Sequence, residues 1–139
     1  MKKKDFSALA KAMAVVALIS IMLGGFIISR RKNQVREVTN LPYHNVELEQ
    51  VPDGIYTART ETSFLYVELA VTVQNHKIVN IKVTESEGLD SVPAKPILDK
   101  IIQENKTAVQ AIKGAELGSI VYISCVDSAL YKGILQNQK

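Results

Sequence analysis

The feature that most constrains this chain is an apolar run near its N-terminus. Residues 12–28 carry no charged side chain and consist mainly of Ala, Val, Ile, Leu and Met. As a helix this run is about 26 Å long, and extending it back to Ala8 includes only Lys11 as a charged residue. A hydrocarbon core is about 30 Å thick, and a lysine near the end of a span reaches the headgroups. The run therefore predicts one transmembrane helix.

Basic residues flank the run on both sides, which argues against a buried core helix. The remaining alternatives are a cleaved signal peptide and an uncleaved anchor. Residues 24–29 make a poor small-x-small cleavage site, so an uncleaved anchor is favoured. No cysteine follows the run closely, which excludes lipoprotein anchoring. Because the two flanks are almost equally basic, the positive-inside rule does not assign an orientation.

Charge is divided unevenly along the chain. Residues 1–32 hold seven basic side chains and one acidic side chain, a net charge of +6. The remainder holds ten basic and thirteen acidic side chains, a net charge of −3. The sequence pI near 9.0 therefore reflects the N-terminal segment alone. A mildly acidic domain lacks the positively charged surface that attracts the phosphates of DNA or RNA, so nucleic acid is not expected as a partner.

The scarcity of cysteine and histidine limits the chemistry that this chain can perform. One cysteine excludes an internal disulfide and a Cys-rich metal site, and His44 and His76 are too far apart for a local ligand pair. No metal is expected. The motifs of zinc peptidases, P-loop ATPases and dinucleotide-binding folds are absent. No arrangement of Ser, His and Asp suggests a catalytic triad.

The chain divides into three predicted parts. Residues 1–32 form the basic flank and the transmembrane anchor. Residues 33–52 are polar, contain two prolines and predict a linker. Residues 53–139 form the folded domain.

Within the domain, alternating patterns predict strands. A β-prone run follows the Asp-Gly pair at 53–54, and apolar and polar residues alternate over 65–73 and again over 79–84. The polar residues 74–77 between the last two runs predict a hairpin connection. An acidic loop is expected at 85–93.

Two helices complete the predicted domain. Apolar residues at 97, 98, 101 and 102 have helical spacing and follow two prolines suited to a helix start. Ser119 is the expected N-cap of a last helix, which places Ile120, Ile123, Val126 and Leu130 on one face and stops near Gly133. The predicted fold class is α+β: a small antiparallel sheet with two packed helices, preceded by one N-terminal transmembrane helix.

Three passages in this order resemble the small FMN-binding domain family. Its members include peripheral flavoprotein subunits of Rnf-type and sodium-pumping NADH:quinone oxidoreductases, and extracellular flavoproteins of Gram-positive bacteria. Residues 53–57, Asp-Gly-Ile-Tyr-Thr, resemble the opening motif D-G-x-Y-x-G. Residues 67–85 resemble the family's hairpin, and residues 103–119 follow without a gap its segment from a Q-S pair through V-D-A-V-S-G-A-T.

The resemblance implies an FMN site in the loop that enters the last helix. In the family the S-G-A-T threonine can carry FMN through a phosphoester bond, but the matching residue here is Glu116, which has no hydroxyl group. Noncovalent FMN is therefore the expected cofactor. Glycine allows close backbone approach, a helix N-terminus favours an anion, and Lys113 adds a cation. The candidate contacts are Lys113, Gly114, Ala115, Glu116, Leu117 and Ser119.

Two functions stay open on this reasoning, and with the resemblance an electron-transfer or binding domain is favoured over an independent catalyst. The resemblance implies a membrane-anchored, extracytoplasmic flavoprotein domain that transfers electrons near the membrane surface, in company with a membrane redox complex. The alternative is a cofactor-free accessory or interaction module of a membrane complex that keeps the fold. Glu116, together with Ala58 and His76 at positions where the family has glycine, motivates the alternative.

Overall fold

The N-terminal part of the chain is one long helix, α1 (Lys3–Thr39), which contains the predicted membrane run. The structure is a computed structural model that describes residues 3–88 and 94–138. Large apolar side chains are exposed along α1, including Ile21 and Met22 at 71% and 76%. The helix is long and apolar enough to cross a membrane, as predicted.

The chain forms two compact units, Met1–Val35 and Arg36–Lys139. Part of the predicted linker therefore belongs to α1, because residues 33–39 are helical. No glycine or proline interrupts this stretch, and Pro42 explains where the helix ends, since the residue before a proline disfavours the α conformation. The expectation of a linker beginning at residue 33 was wrong for these seven residues.

The rest of the predicted linker is packed into the second unit. Val38 at the end of α1 is buried, and so are Leu48 in a short 3-10 helix (Leu48–Gln50) and Val51 after it. These apolar side chains join the same core as the sheet. The folded unit is thus larger than residues 53–139, because buried apolar positions extend it towards the N-terminus.

The sheet has three antiparallel strands in the order β1 (Gly54–Glu61), β2 (Leu65–Gln74) and β3 (Lys77–Gly88). The predicted hairpin is confirmed. The central strand β2 buries every second residue, and its turn is formed by Asn75 and His76, whose φ angles are 51° and 58°. Positive φ at both central residues is what a two-residue type I′ turn requires. Of the predicted acidic loop, residues 85–88 belong to β3, and residues 89–93 lie outside the described residues.

Two helices pack against this sheet, which confirms the predicted α+β class. Helix α2 (Ala94–Glu104) buries the predicted apolar positions Ile97, Leu98 and Ile101. Helix α3 (Glu116–Asn137) contacts β1, β2 and α2. It is buried around most of its circumference, because it lies between the sheet and the segments that flank it.

Helix α3 is longer at both ends than predicted. It begins at Glu116, three residues before the expected N-cap Ser119, and it continues past Gly133 to Asn137. Ile120, which was expected in the core, is 37% exposed, whereas Val121 and Tyr122 are buried. The earlier start changes which residues of the loop can meet a ligand at the helix N-terminus.

Candidate functional site

The loop before α3 is the predicted FMN site, and its backbone is open to solvent. Gly114 has a φ of +84°, a conformation that glycine adopts without strain, and an added Cβ would meet no atom within 4 Å. Lys113, Gly114 and Glu116 are exposed, and Ala115 is half-buried. These four consecutive residues form the accessible part of the predicted site.

Glu116 folds back onto this loop. Its carboxylate oxygen Oε1 accepts a hydrogen bond from the backbone N–H of Gly114 at 2.8 Å. This bond and a second one from the backbone N–H of Glu116 itself lower the pKa of the carboxyl group below its usual value. A phosphate at a helix N-terminus is bound by the same kind of amide. The carboxylate of Glu116 therefore takes up amide donors that a phosphate would need.

Other donors of the loop are engaged within the protein. The N–H of Ala115 donates to the carbonyl of Ile112 at 3.0 Å, and the N–H of Ser119 donates to the carbonyl of Ala115 at 2.9 Å. The hydroxyl of Ser119 accepts the N–H of Ile112 at 3.1 Å and is buried. Ser119 therefore stabilises the loop through the N–H of Ile112. Because it is buried, it does not join the exposed residues of the predicted site.

The expectation that Ser119 is the N-cap was wrong. Ala115 occupies the N-cap position, and its side chain makes no capping bond. Leu117 is half-buried and packs against the hydrophobic core, so it does not line the exposed surface of the loop. Of the six predicted contacts, the structure brings together only the four at 113–116.

Lys113 is the cation that was expected to offset Glu116. Its side chain is exposed, and within residues 3–88 and 94–138 it makes no ion pair with a carboxylate. Glu116 is thus stabilised by backbone amides and not by Lys113.

A second polar cluster is centred on Asp127, near the middle of α3, and was not predicted from the sequence. Asp127 is fully buried, and its Oδ2 accepts the backbone N–H of His44 at 2.6 Å and lies 3.0 Å from Nδ1 of the same residue. Its Oδ1 accepts the N–H of Val46 at 3.2 Å and the hydroxyl of Thr107 at 3.3 Å. One carboxylate therefore holds two segments of the chain on α3.

The geometry also orients the His44 ring. Since a carboxylate only accepts, the short contact places a proton on Nδ1. The ring stacks on Tyr131, with centroids 3.9 Å apart and planes 6° apart. An imidazole held by a buried carboxylate is an arrangement that general bases and metal-binding histidines share.

The surroundings of this cluster favour a structural role. The hydroxyl of Ser124 donates to the carbonyl of Pro42 at 2.8 Å, so it is not directed at His44. Within the described ranges no group of three His, Cys, Asp or Glu side chains is placed to hold a metal ion. The sequence signal that could have revealed the cluster is Asp127 itself, the one charged residue between Glu116 and Lys132 in an otherwise apolar helix.

Cys125 is buried and behaves as a small apolar residue. Its thiol contacts the carbonyl of Val67 at 3.7 Å, and burial raises the pKa of the thiol. A protonated, inaccessible thiol is a poor nucleophile.

No protein-family model matches this chain, and comparison with curated proteins gives no match. The FMN-binding resemblance therefore stays a prediction from the three quoted passages.

Proposed function

We propose that this chain is a single-pass membrane protein whose folded domain is a cofactor-free interaction module of a membrane complex. The length and apolar character of α1 support the membrane span. The observation that carries the cofactor-free role is the 2.8 Å hydrogen bond from the N–H of Gly114 to the carboxylate of Glu116.

The argument from this bond is electrostatic. A carboxyl group with a lowered pKa is ionised at neutral pH. A phosphate entering the loop would have to displace that carboxylate from its amide donors and then remain beside it. Lys113 offers one positive charge against the negative charges of the phosphate and of the Glu116 carboxylate. The carboxylate belongs to the chain and is therefore always present at the loop. The backbone N–H groups of Gly114 and Glu116 thus already have an acceptor in the Glu116 side chain.

A binding role is supported by the sheet. In the described residues β1 and β3 each have one side that pairs with no strand. A sheet edge is a common place for a partner strand to add. Within these edges, Lys132 donates to the carbonyl of Thr57 and Asn105 accepts the N–H of Ile78, so a partner strand would pair along the remaining positions.

Titration of the full-length chain with FMN in detergent tests this function. We expect a colourless purified protein whose melting temperature and flavin fluorescence do not change with FMN. Glu116→Gln removes the carboxylate charge at constant size, and Glu49→Gln is the matched control at another exposed position. A flavin absorption band in the purified wild type, or saturable stabilisation by FMN, would overturn the proposal.

Noncovalent FMN binding for electron transfer near the membrane surface is the second candidate. The specific observation that favours it is the open backbone at Gly114, where nothing lies within 4 Å of an added Cβ. Lys113 is exposed beside it and available to a phosphate. FMN would supply the redox chemistry, and the protein would hold it. In this case Glu116→Thr tightens FMN binding and Lys113→Gln weakens it.

The domain is placed outside the cytoplasm in this proposal, on the strength of the family resemblance alone. Protease treatment of intact cells tests the orientation. Digestion of the domain without lysis supports an extracytoplasmic position, and protection until lysis contradicts it.

A further inference from the structure

Three consecutive cations, Arg30, Arg31 and Lys32, follow the apolar run of α1. All three residues are exposed, and none forms an ion pair with a carboxylate in the described part of the chain. Successive residues of an α-helix are rotated by about 100°. The three side chains therefore leave the helix over about 200° of its circumference. We call these three residues the basic collar.

The position of the basic collar matches one face of a bilayer. Lys11 precedes the apolar run and Arg30 follows it, nineteen positions later, which corresponds to about 28 Å of helix. That length is close to the roughly 30 Å of a hydrocarbon core. With Lys11 at one headgroup layer, the collar lies at the other.

A contact within α1 supports this depth. The guanidinium of Arg30 lies over the ring of Phe26, 4.6 Å from its centroid. Side chains of a helix lean towards its N-terminus, so Arg30 is directed back towards the apolar run. A cation held against an aromatic ring at the end of a span is placed among headgroups and not beyond them.

Nothing in the neighbouring sequence neutralises these cations. No acidic residue occurs between Phe6 and Arg36. Three adjacent positive charges repel one another, and the phosphates of surrounding lipids relieve that repulsion. Arginine also binds phosphate through paired N–H groups. A protein partner would meet the helix from one side, whereas lipids surround it.

We infer that the basic collar binds the headgroups of anionic phospholipids. This inference rests on the proposed membrane span and adds a lipid preference to it. It concerns the lipid layer next to α1 and is independent of whether the domain binds FMN.

Electron paramagnetic resonance of spin-labelled lipids tests the preference. The full-length chain is reconstituted in phosphatidylcholine vesicles that contain trace spin-labelled phosphatidylglycerol or trace spin-labelled phosphatidylcholine. The fraction of each label immobilised by the protein gives its relative affinity. We expect phosphatidylglycerol to be preferred by roughly threefold or more at low salt, with the preference falling as salt is added.

The variant with Arg30→Gln, Arg31→Gln and Lys32→Gln is expected to lose the preference. Its matched control carries Lys77→Gln, Lys82→Gln and Lys106→Gln, three exposed lysines of the domain with the same total charge change. The control should keep the wild-type ratio. Equal losses in both variants would assign the effect to net charge and overturn the inference.

Extraction with alkaline carbonate separates failure of the span from failure of the collar. Release of the wild-type chain from the vesicles would overturn the membrane proposal together with the inference. A chain that resists extraction but immobilises both lipids equally would overturn the lipid preference alone.

Discussion

Gly133 of α3 lies directly against the ring of Tyr56 in β1. An added Cβ at residue 133 would be 2.8 Å from Cζ of the ring, closer than real Cβ contacts occur. The hydroxyl of Tyr56 in turn donates to the carbonyl of Pro52 at 2.7 Å, which fixes the ring. The absence of a side chain at Gly133 therefore allows the C-terminal part of α3 to pack closely on the sheet.

Gly133→Ala is expected to destabilise the domain by about 1–3 kcal/mol, because the methyl group overpacks the contact with Tyr56. Urea unfolding of the full-length chain in detergent, followed by circular dichroism, measures the change. Gly24→Ala is the control, since an added Cβ there meets nothing within 4 Å. Tyr56→Leu should make Gly133→Ala less costly, and strictly additive effects would contradict the packing explanation.

Asp127→Ala is expected to cost about 3 kcal/mol or more of unfolding free energy. The substitution leaves the N–H groups of His44 and Val46 and the hydroxyl of Thr107 without their buried acceptor. Asp99→Ala, which removes an exposed ion pair with Lys95, should change stability by no more than about 0.5 kcal/mol. Equal effects of the two substitutions would show that the buried carboxylate does not hold the segment at 44–46.

Cys125 should resist alkylation in the folded chain. Burial both blocks the thiol and raises its pKa, so little thiolate is present at neutral pH. Mass spectrometry after maleimide treatment should show labelling in urea and almost none in native buffer. Ile55→Cys, at a position that is 69% exposed, provides a thiol that reacts at once. Rapid native labelling of wild type would contradict the buried position of this side chain.

The lowered pKa of Glu116 predicts a pH-dependent contribution to stability. Because the carboxyl pKa is lower in the folded state than in the unfolded state, the contribution is fully present above the unfolded value. It is lost as the pH falls through the folded value. Wild type should therefore exceed Glu116→Gln in stability at neutral pH, and the difference should shrink in acid. Parallel pH profiles of unfolding would argue against the backbone hydrogen bonds to this carboxylate.

Binary patterns predicted that the strands and helices exist, but not all of their bounds or buried positions: in β3, Ile78 is buried and Val79 is exposed. The alternation along β2 and the spacing of Ile97 and Ile101 in α2 are local signals, and the structure confirms both. The apolar run likewise predicts a helix that can cross a membrane. In each case one face or one stretch of the element is apolar regardless of what it packs against.

The ends of α3 could not be predicted because distant contacts override local signals. Ser119 has the chemistry of an N-cap, but its hydroxyl is used by the N–H of Ile112. Gly133 has the chemistry of a helix stop, but it accommodates Tyr56, which lies 77 positions earlier in the sequence. A sequence pattern reports what a residue can do, and packing decides which of its roles is used.

The candidate site was predictable only in outline. Gly114 and its neighbours form an open loop, as glycine in that position suggested. The return of the Glu116 side chain to an amide two residues earlier depends on the backbone angles of the loop, which no motif encodes. Through that contact the carboxylate of Glu116 occupies the N–H of Gly114, which an anionic ligand would otherwise use.

The bonds from Asp127 to the backbone of His44 and Val46 have a consequence for cooperativity. Detaching residues 44–46 would leave a fully buried carboxylate without two of its donors, which is costly. This segment and α3 are therefore expected to unfold together as one unit.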